Sequence, residues 1–361
     1  MTTQRITKRQ ALLVLITTII GGVMQPVLRS LILWGGNGAW APIIAATAFG
    51  MLLLLLTLRL AERFPGESAA HYLPRVWGRL LGYPIVLLLS VGFLLKAALI
   101  MRHVSEFFVS AVLPETPISA VMAVLLMLIA AGILAELEGI VRFNQLVLPV
   151  IIFSFALVFL ASTLKFSGWE LLPLFDKGYP GLLNALLVAS PYFSNLAVLL
   201  FLYPVVVDKD CFASEGLKTV AISGGVFLAI YLNIALTLGA KLGEVFTWPY
   251  LAVVENVPVG VERMEAVFMV VWFLAAFVTI SLFVYVFALG LNQLFPRLRR
   301  KWIGLASIPA IAYIALLSDN QPSAVINHVL VNRYTLGLFT AVPLLSLALA
   351  AIRRKRGERL D

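Results

Sequence analysis

Charge is scarce in this sequence. Only 12% of its 361 residues are Asp, Glu, Lys or Arg, about half of the roughly 25% usual in a soluble domain. No stretch is both long and polar enough to fold as a separate soluble unit, so residues 1–361 read as a single polytopic transmembrane domain. Cysteine is nearly absent. The lone Cys211 excludes a disulfide framework and a cysteine-built metal site. His71 and His328 read as loop residues, so no histidine cluster at metal-ligand spacing is expected. There is no Ser/His/Asp set, phosphate loop or nucleotide motif. Neither enzymatic activity nor a cofactor is therefore expected.

What is abundant is apolar length. The chain is 61% hydrophobic with a mean hydropathy of +0.99, and a bilayer span needs only about 20 mostly apolar residues. Ten spans are expected, near 10–32, 41–60, 83–110, 118–138, 144–164, 181–205, 218–240, 264–290, 302–318 and 335–352. Arg5, Lys8 and Arg9 precede the first run, which lacks a small-residue cleavage site and reads as a retained helix. The net charge of +9 does not point to nucleic acid, because 19 of the 27 lysines and arginines fall in segments on one side of the membrane. That bias predicts cytoplasmic N- and C-termini. Residues 62–82 mix apolar, aromatic and basic side chains and predict a short amphipathic helix at the inner interface. Residues 244–263, with Trp248, Pro249 and Tyr250, form a long outer segment. It reads either as a lid or as an ordinary aromatic belt.

Two spans carry interruptions five helices apart. In the first, Gly21-Gly22-Val23-Met24-Gln25-Pro26 lies near mid-span. Adjacent glycines weaken a helix and proline cannot donate to its ladder. The implied geometry is a half-helix ending near Gly21 and another beginning near Gln25. Its fresh N-terminus would suit a carboxylate, although glycines placed only for close packing fit equally. In the sixth span, Ser190-Pro191-Tyr192-Phe193-Ser194-Asn195 occupies a similar depth. Carbonyls freed there would suit an ammonium group, and Tyr192 or Phe193 could close over a small side chain. Paired interruptions in two halves of a membrane protein point to a transporter-type binding site. Candidate ligand-binding residues are accordingly Gly21, Gly22, Met24, Gln25, Ser190, Pro191, Tyr192, Phe193, Ser194 and Asn195.

The third span holds the densest intramembrane charge. Lys96, Arg102, His103, Glu106 and Ser110 share about a third of the helix circumference, and such a stripe should face the protein interior or water. Arg102, His103 and Glu106 are candidates for a vestibule wall or gating relay. The structural alternative is an Arg102–Glu106 pair that fixes packing, with Lys96 snorkelling. Glu138 and Arg142 are expected to pair at the surface. Thr279 and Ser281 in the eighth span are candidates for a cation site beside the first interruption, or for bonding to their own helix.

The order of short motifs along the chain resembles the spore-germination permeases, the B subunits of Ger-type nutrient germinant receptors in the amino acid–polyamine–organocation superfamily. It runs from Ile6-Thr7-Lys8-Arg9-Gln10 and the Gly-Gly…Pro26 interruption through Gly38-Ala39-Trp40, Arg63-Phe64-Pro65-Gly66 and Leu80-Leu81-Gly82. Glu106-Phe107-Phe108, Leu113-Pro114-Glu115-Thr116-Pro117, Glu138 to Asn144, Pro173, Glu262-Arg263-Met264-Glu265 and Trp272 continue it. The resemblance implies an all-α, LeuT-like fold of ten helices, a 5+5 inverted repeat with broken helices 1 and 6. It also implies an amino acid or similar nutrient bound between those helices, and assembly with a larger A subunit and a lipoprotein C subunit. The location implied is the inner membrane of a dormant spore. Many members carry a glutamate where this chain has Ser194-Asn195, which implies a neutral pocket here. The other readings are a stand-alone secondary amino-acid transporter and a scaffold that only anchors partners.

Overall fold

A computed structural model describes residues 5–23, 27–256, 264–318 and 320–357. Seven helices among these are long and apolar enough to cross a membrane. The first expected span divides into α1 (Lys8–Val23) and α2 (Val27–Gly35). α3 (Trp40–Arg63) and the short α4 (Ala69–Trp77) precede α5 (Arg79–Ala111). α6 (Ile118–Ser162) joins the fourth and fifth expected spans in one element. A straight helix of its 45 residues would run roughly 67 Å, about twice the hydrocarbon thickness of about 30 Å. The chain turns instead at Glu136, whose φ of 61° and ψ of −171° leave the helical region. Arg300 and Lys301 hold its carboxylate at 3.2 and 3.3 Å.

The sixth span begins as α7 (Gly178–Phe193), tightens into a 3₁₀ turn over Ser194–Val198, and resumes as α8 (Leu199–Leu202). α9 (Phe212–Thr237) follows. After it come α10 (Gly239–Val245) and α11 (Pro249–Asn256), which hold the described part of the 244–263 segment. α12 (Met264–Leu294), α13 (Arg300–Leu316) and α14 (Gln321–Ile352) complete the bundle. One element departs from an all-helical reading. Ile6–Thr7 (β1) pairs in parallel with Val206–Val207 (β2), tying the segment before α1 to the one after α8.

Burial separates an inner from an outer set of helices. α5, α7 with α8, and α12 are mostly enclosed, and α12 packs against both α5 and α6. α6 and α14 lie outside them. Met127, Leu134, Leu146, Phe153 and Leu160 are exposed along α6, falling into a pair and a triplet seven residues apart, which sets a hydrocarbon-facing stripe. Close crossings depend on small residues. A Cβ at Gly50 of α3 would lie 2.7 Å from the Phe193 ring and 2.9 Å from Phe193 Cβ.

The expected amphipathic helix is α4. Its Ala69, Ala70, Tyr72, Leu73 and Val76 are buried, and Tyr72 stacks on Phe64 at 5.0 Å. His71, expected in a loop, belongs to this helix, where Ser68 Oγ and His71 Nδ1 are 3.1 Å apart. Arg142 and Glu138 pair at 2.5 Å on the exposed face of α6, as their spacing indicates. The Glu262-Arg263-Met264-Glu265 motif lies outside the described residues save for the helical backbone of its last two.

Gly50→Val should therefore overpack the α3–α7 crossing, because the obstructing atoms include Phe193 Cβ, which no rotamer change removes. A loss of about 1–3 kcal/mol is expected, read as a lower melting temperature of the detergent-solubilised protein, with Gly225→Ala, which meets nothing within 4 Å, as the neutral control.

Candidate functional site

Pro191 sits in the last turn of α7, where its missing N–H releases the ladder. The sequence suggests an unwound segment with free carbonyls, but the chain stays in right-handed helical space and only tightens to 3₁₀. The carbonyl of Pro191 is nonetheless available. Ser194 Oγ donates to it at 2.7 Å, and Lys96 Nζ, reaching over from α5, donates to it at 2.8 Å. The same nitrogen bonds Asn195 Oδ1 at 2.5 Å and Ser194 Oγ at 3.5 Å. Asn195 Nδ2 then donates to the Thr18 carbonyl of α1 at 2.9 Å. The Phe339 ring of α14 lies 5.8 Å from Nζ. Four helical segments thus meet at one lysine.

This overturns two expectations. Lys96 is buried and does not snorkel. The interruption is not a neutral pocket, because a lysine amine fills it. An ammonium carries three donors, and three oxygens meet it here. Among the described residues, no carboxylate forms an ion pair with Lys96. Its position was open to inference from the rule that an ionisable residue inside a span faces a functional interior. Its partner, 95 positions away in sequence, was not.

The first interruption is placed differently. Met24 and Gln25 lie outside the described residues. Gly21 and Gly22 stay helical in the last turn of α1, which ends at Val23. A Cβ at Gly21 would lie 3.0 Å from Thr279 Oγ1 and 3.3 Å from the Ala275 carbonyl. Gly21 is there for the close approach of α12, the packing alternative. Thr279 bonds its own helix at Ala275 O (2.9 Å) and reaches Thr17 O at 3.4 Å. Ser281 lies beside Gly132 of α6, away from α1. The two hydroxyls therefore do not converge on a cation site. Phe193 is buried against Gly50 and cannot close over a ligand.

The α5 stripe continues outward into a second polar chain. His103 Nε2 and His328 Nδ1 are 2.9 Å apart, and His328 Nε2 is 2.9 Å from Tyr192 Oη. All three side chains are buried. Only two proton arrangements satisfy this chain. In one, Tyr192 donates to His328 and His328 to His103. In the other both bonds reverse, leaving the tyrosine O–H free to donate elsewhere. His328 was expected in a loop. It lies in α14 because that helix begins at the Asn320–Ser323 capping box, with both reciprocal bonds formed, and not near residue 335. Arg102 and Glu106 approach to 3.6 Å as an ion pair. Above them Trp248 donates to Ser110 Oγ at 3.1 Å and packs on Phe107 and Trp272. Trp248 of the 244–263 segment thus covers this end of α5 and α12.

Beside this network is a cavity of about 240 Å³ between α2, α7 and α14. Pro191, Tyr192, His328 and Asn332 line its inner side, with Ser30, Trp34, Asn184 and Arg333 elsewhere on the wall. Two other cavities, about 440 and 330 Å³, are grooves on the flanks of α6 lined by aliphatic and aromatic side chains and one tyrosine.

A helical membrane bundle whose interior polar residues gather at an interrupted span defines a polytopic integral membrane protein organised around a buried site. The family model described as spore germination protein, the spore permeases, matches residues 5–324, and the chain belongs to that family. Spore germination protein YndE of Bacillus subtilis (strain 168) is 23% identical over 99% of both chains. Spore germination protein A2 of the same organism is 25% identical over 79% of this chain and 80% of its own. Spore germination protein KB, also of that organism, is 22% identical over 72% and 71%.

Lys96→Met should leave Asn195 Oδ1 without its donor and the Pro191 carbonyl with Ser194 Oγ alone, and a buried unsatisfied group costs about 1–3 kcal/mol. A double-mutant cycle of Lys96→Met with Asn195→Leu, followed by thermal melting in detergent, is expected to give a coupling of about 0.5–3 kcal/mol. Additive effects would mean that the two side chains do not share a bond.

Proposed function

We propose that this chain is the membrane subunit of a spore nutrient germinant receptor that binds an amino acid or similar small nutrient and triggers germination. Family membership across residues 5–324 supports the germination role. The observation that carries the site is the buried junction at Lys96, where the interrupted sixth span is tied to the first, third and last membrane helices. A ligand that binds beside such a junction can favour one arrangement of four helices over another. A response requires that differential affinity and nothing more.

In this reading the architecture is LeuT-like, a 5+5 inverted repeat. α1 with α2, α3, α5, the two arms of α6, α7 with α8, α9, α12, α13 and α14 make the ten spans. The N- and C-termini face the cytoplasm, since the basic segments gather at one end of the bundle, and the membrane is the inner membrane of the spore. The partners are a larger A subunit and a lipoprotein C subunit. The nutrient lies between the first and sixth spans, and Arg102, His103 and Glu106 form the gating wall under the Trp248 lid. No catalytic step belongs to this reading.

Spores lacking this chain should lose germination to at least one nutrient and regain it with a wild-type copy. Normal germination of the deletion to every nutrient tested refutes the reading. Purified protein in liposomes should show ligand-dependent stabilisation without sustained accumulation of labelled solute. Sustained accumulation would instead favour the stand-alone transporter.

A further inference from the structure

The helix-six carbonyl, the group best suited to receive a ligand's ammonium, already carries Lys96. The cavity of about 240 Å³ next to it has no aspartate or glutamate in its lining. Its wall does hold Arg333, an exposed guanidinium partway along α14 with no hydrogen bond or ion pair among the described residues. A second, much smaller space is lined jointly by Lys96, Tyr192, His328 and Asn332, so the lysine lies directly behind the cavity's polar side. The nearest acid on the α5 stripe, Glu106, is matched by Arg102. Among the described residues the electrostatic balance at the cavity is therefore positive on two sides and negative on none. On the buried side, at Lys96, Tyr192 and His328, such a balance favours an anionic group.

We propose that this cavity is the nutrient site, and that it recognises a small carboxylate whose ammonium, where the nutrient has one, adds nothing to binding. The proposal rests on the nutrient-sensing reading above and deepens it. Arg333 takes the carboxylate, since a guanidinium offers paired donors in carboxylate geometry. Tyr192 adds a donor when the His103–His328 chain points its protons toward the hydroxyl oxygen, leaving the tyrosine O–H free. Lys96 stands where a free amine would otherwise bind. At about 240 Å³ the space lies below the ~300–1,000 Å³ of drug-sized sites, which restricts the ligand to a small metabolite. The aliphatic remainder of the wall, Val27, Leu187 and Val188 among it, receives an apolar body. The ordinary role for an exposed, unpaired arginine within a membrane helix is snorkelling toward lipid headgroups. That role predicts no ligand dependence on Arg333.

The test uses full-length protein in lipid nanodiscs and three isosteric probe series: propionate and butyrate, alanine and 2-aminobutyrate, propylamine and butylamine. Trp34 lines the cavity, so its fluorescence, obtained by difference from Trp34→Phe, reports occupancy. Carboxylates and amino acids should bind within severalfold of each other, and the amines at least tenfold more weakly. Arg333→Gln should weaken the carboxylates at least tenfold, Arg333→Lys should recover part of the loss, and Val188→Trp should block all probes. Melting curves of each variant report whether it folds. Amines binding as tightly as carboxylates, or Arg333→Gln leaving affinity unchanged, overturns the proposal. If no probe binds while spores lacking the chain still fail to germinate, the site assignment falls and the receptor reading stands. If those spores germinate normally, the receptor reading itself falls.

Discussion

The interior of this protein depends on how a lysine is kept out of water without a carboxylate. An isolated buried ammonium is prohibitively costly, and the usual solution is an ion pair. Here the solution is backbone and amide oxygen from a span that proline has interrupted. The dependence is mutual. Without Lys96 the Asn195 amide oxygen would lose its donor and the Pro191 carbonyl would keep Ser194 alone, and Lys96 would be untenable without those oxygens. Because Asn195 also bonds Thr18 of α1, satisfying one amine fixes the relative depth of α1, α5 and α7. The histidine pair and the Trp248 cover rest in part on α5, and the cavity in part on α7.

A consequence for the arrangement of polarity follows. The α5 stripe is not a uniform wet face. Its inner member, Lys96, is consumed by α7. His103 connects sideways to α14 through His328. Arg102 and Glu106 close on each other beneath aromatic cover. One helix thus makes three different kinds of contact at successive depths, each to a different neighbour. That makes α5 the element through which rearrangement at one depth reaches the others.

Much of this was legible in the sequence, for local reasons. Pro191 with its hydroxyl and amide neighbours marks the interruption because proline removes a donor wherever it sits. The amphipathic character of 69–77 shows in the spacing of Tyr72, Leu73 and Val76. The Arg102–Glu106 and Glu138–Arg142 pairs follow from helical spacing alone. Other features depended on tertiary placement. Gly21 reads the same whether a helix breaks there or another helix crosses it, and the crossing of α12 decides. Lys96 has a long apolar stem that suits either snorkelling or burial, and only the oxygens supplied by α7 distinguish them. His328 was lost in a polar run, Asn320 to Arg333, that resembles a loop in composition. Its Asn-to-Ser capping pair is the signal that places it in a helix.

The small parallel pairing of Ile6–Thr7 with Val206–Val207 has a mechanical meaning for the basic end of the bundle. It staples the start of the first span to the exit of the sixth by main-chain bonds, and Lys8 adds a 2.8 Å contact to Glu215 of α9. Side chains can slide past one another by degrees, whereas a ladder is either in register or open. Any swing of α1 away from the bundle axis must therefore begin by unzipping this latch, which gives that face of the molecule a threshold instead of a gradual yield.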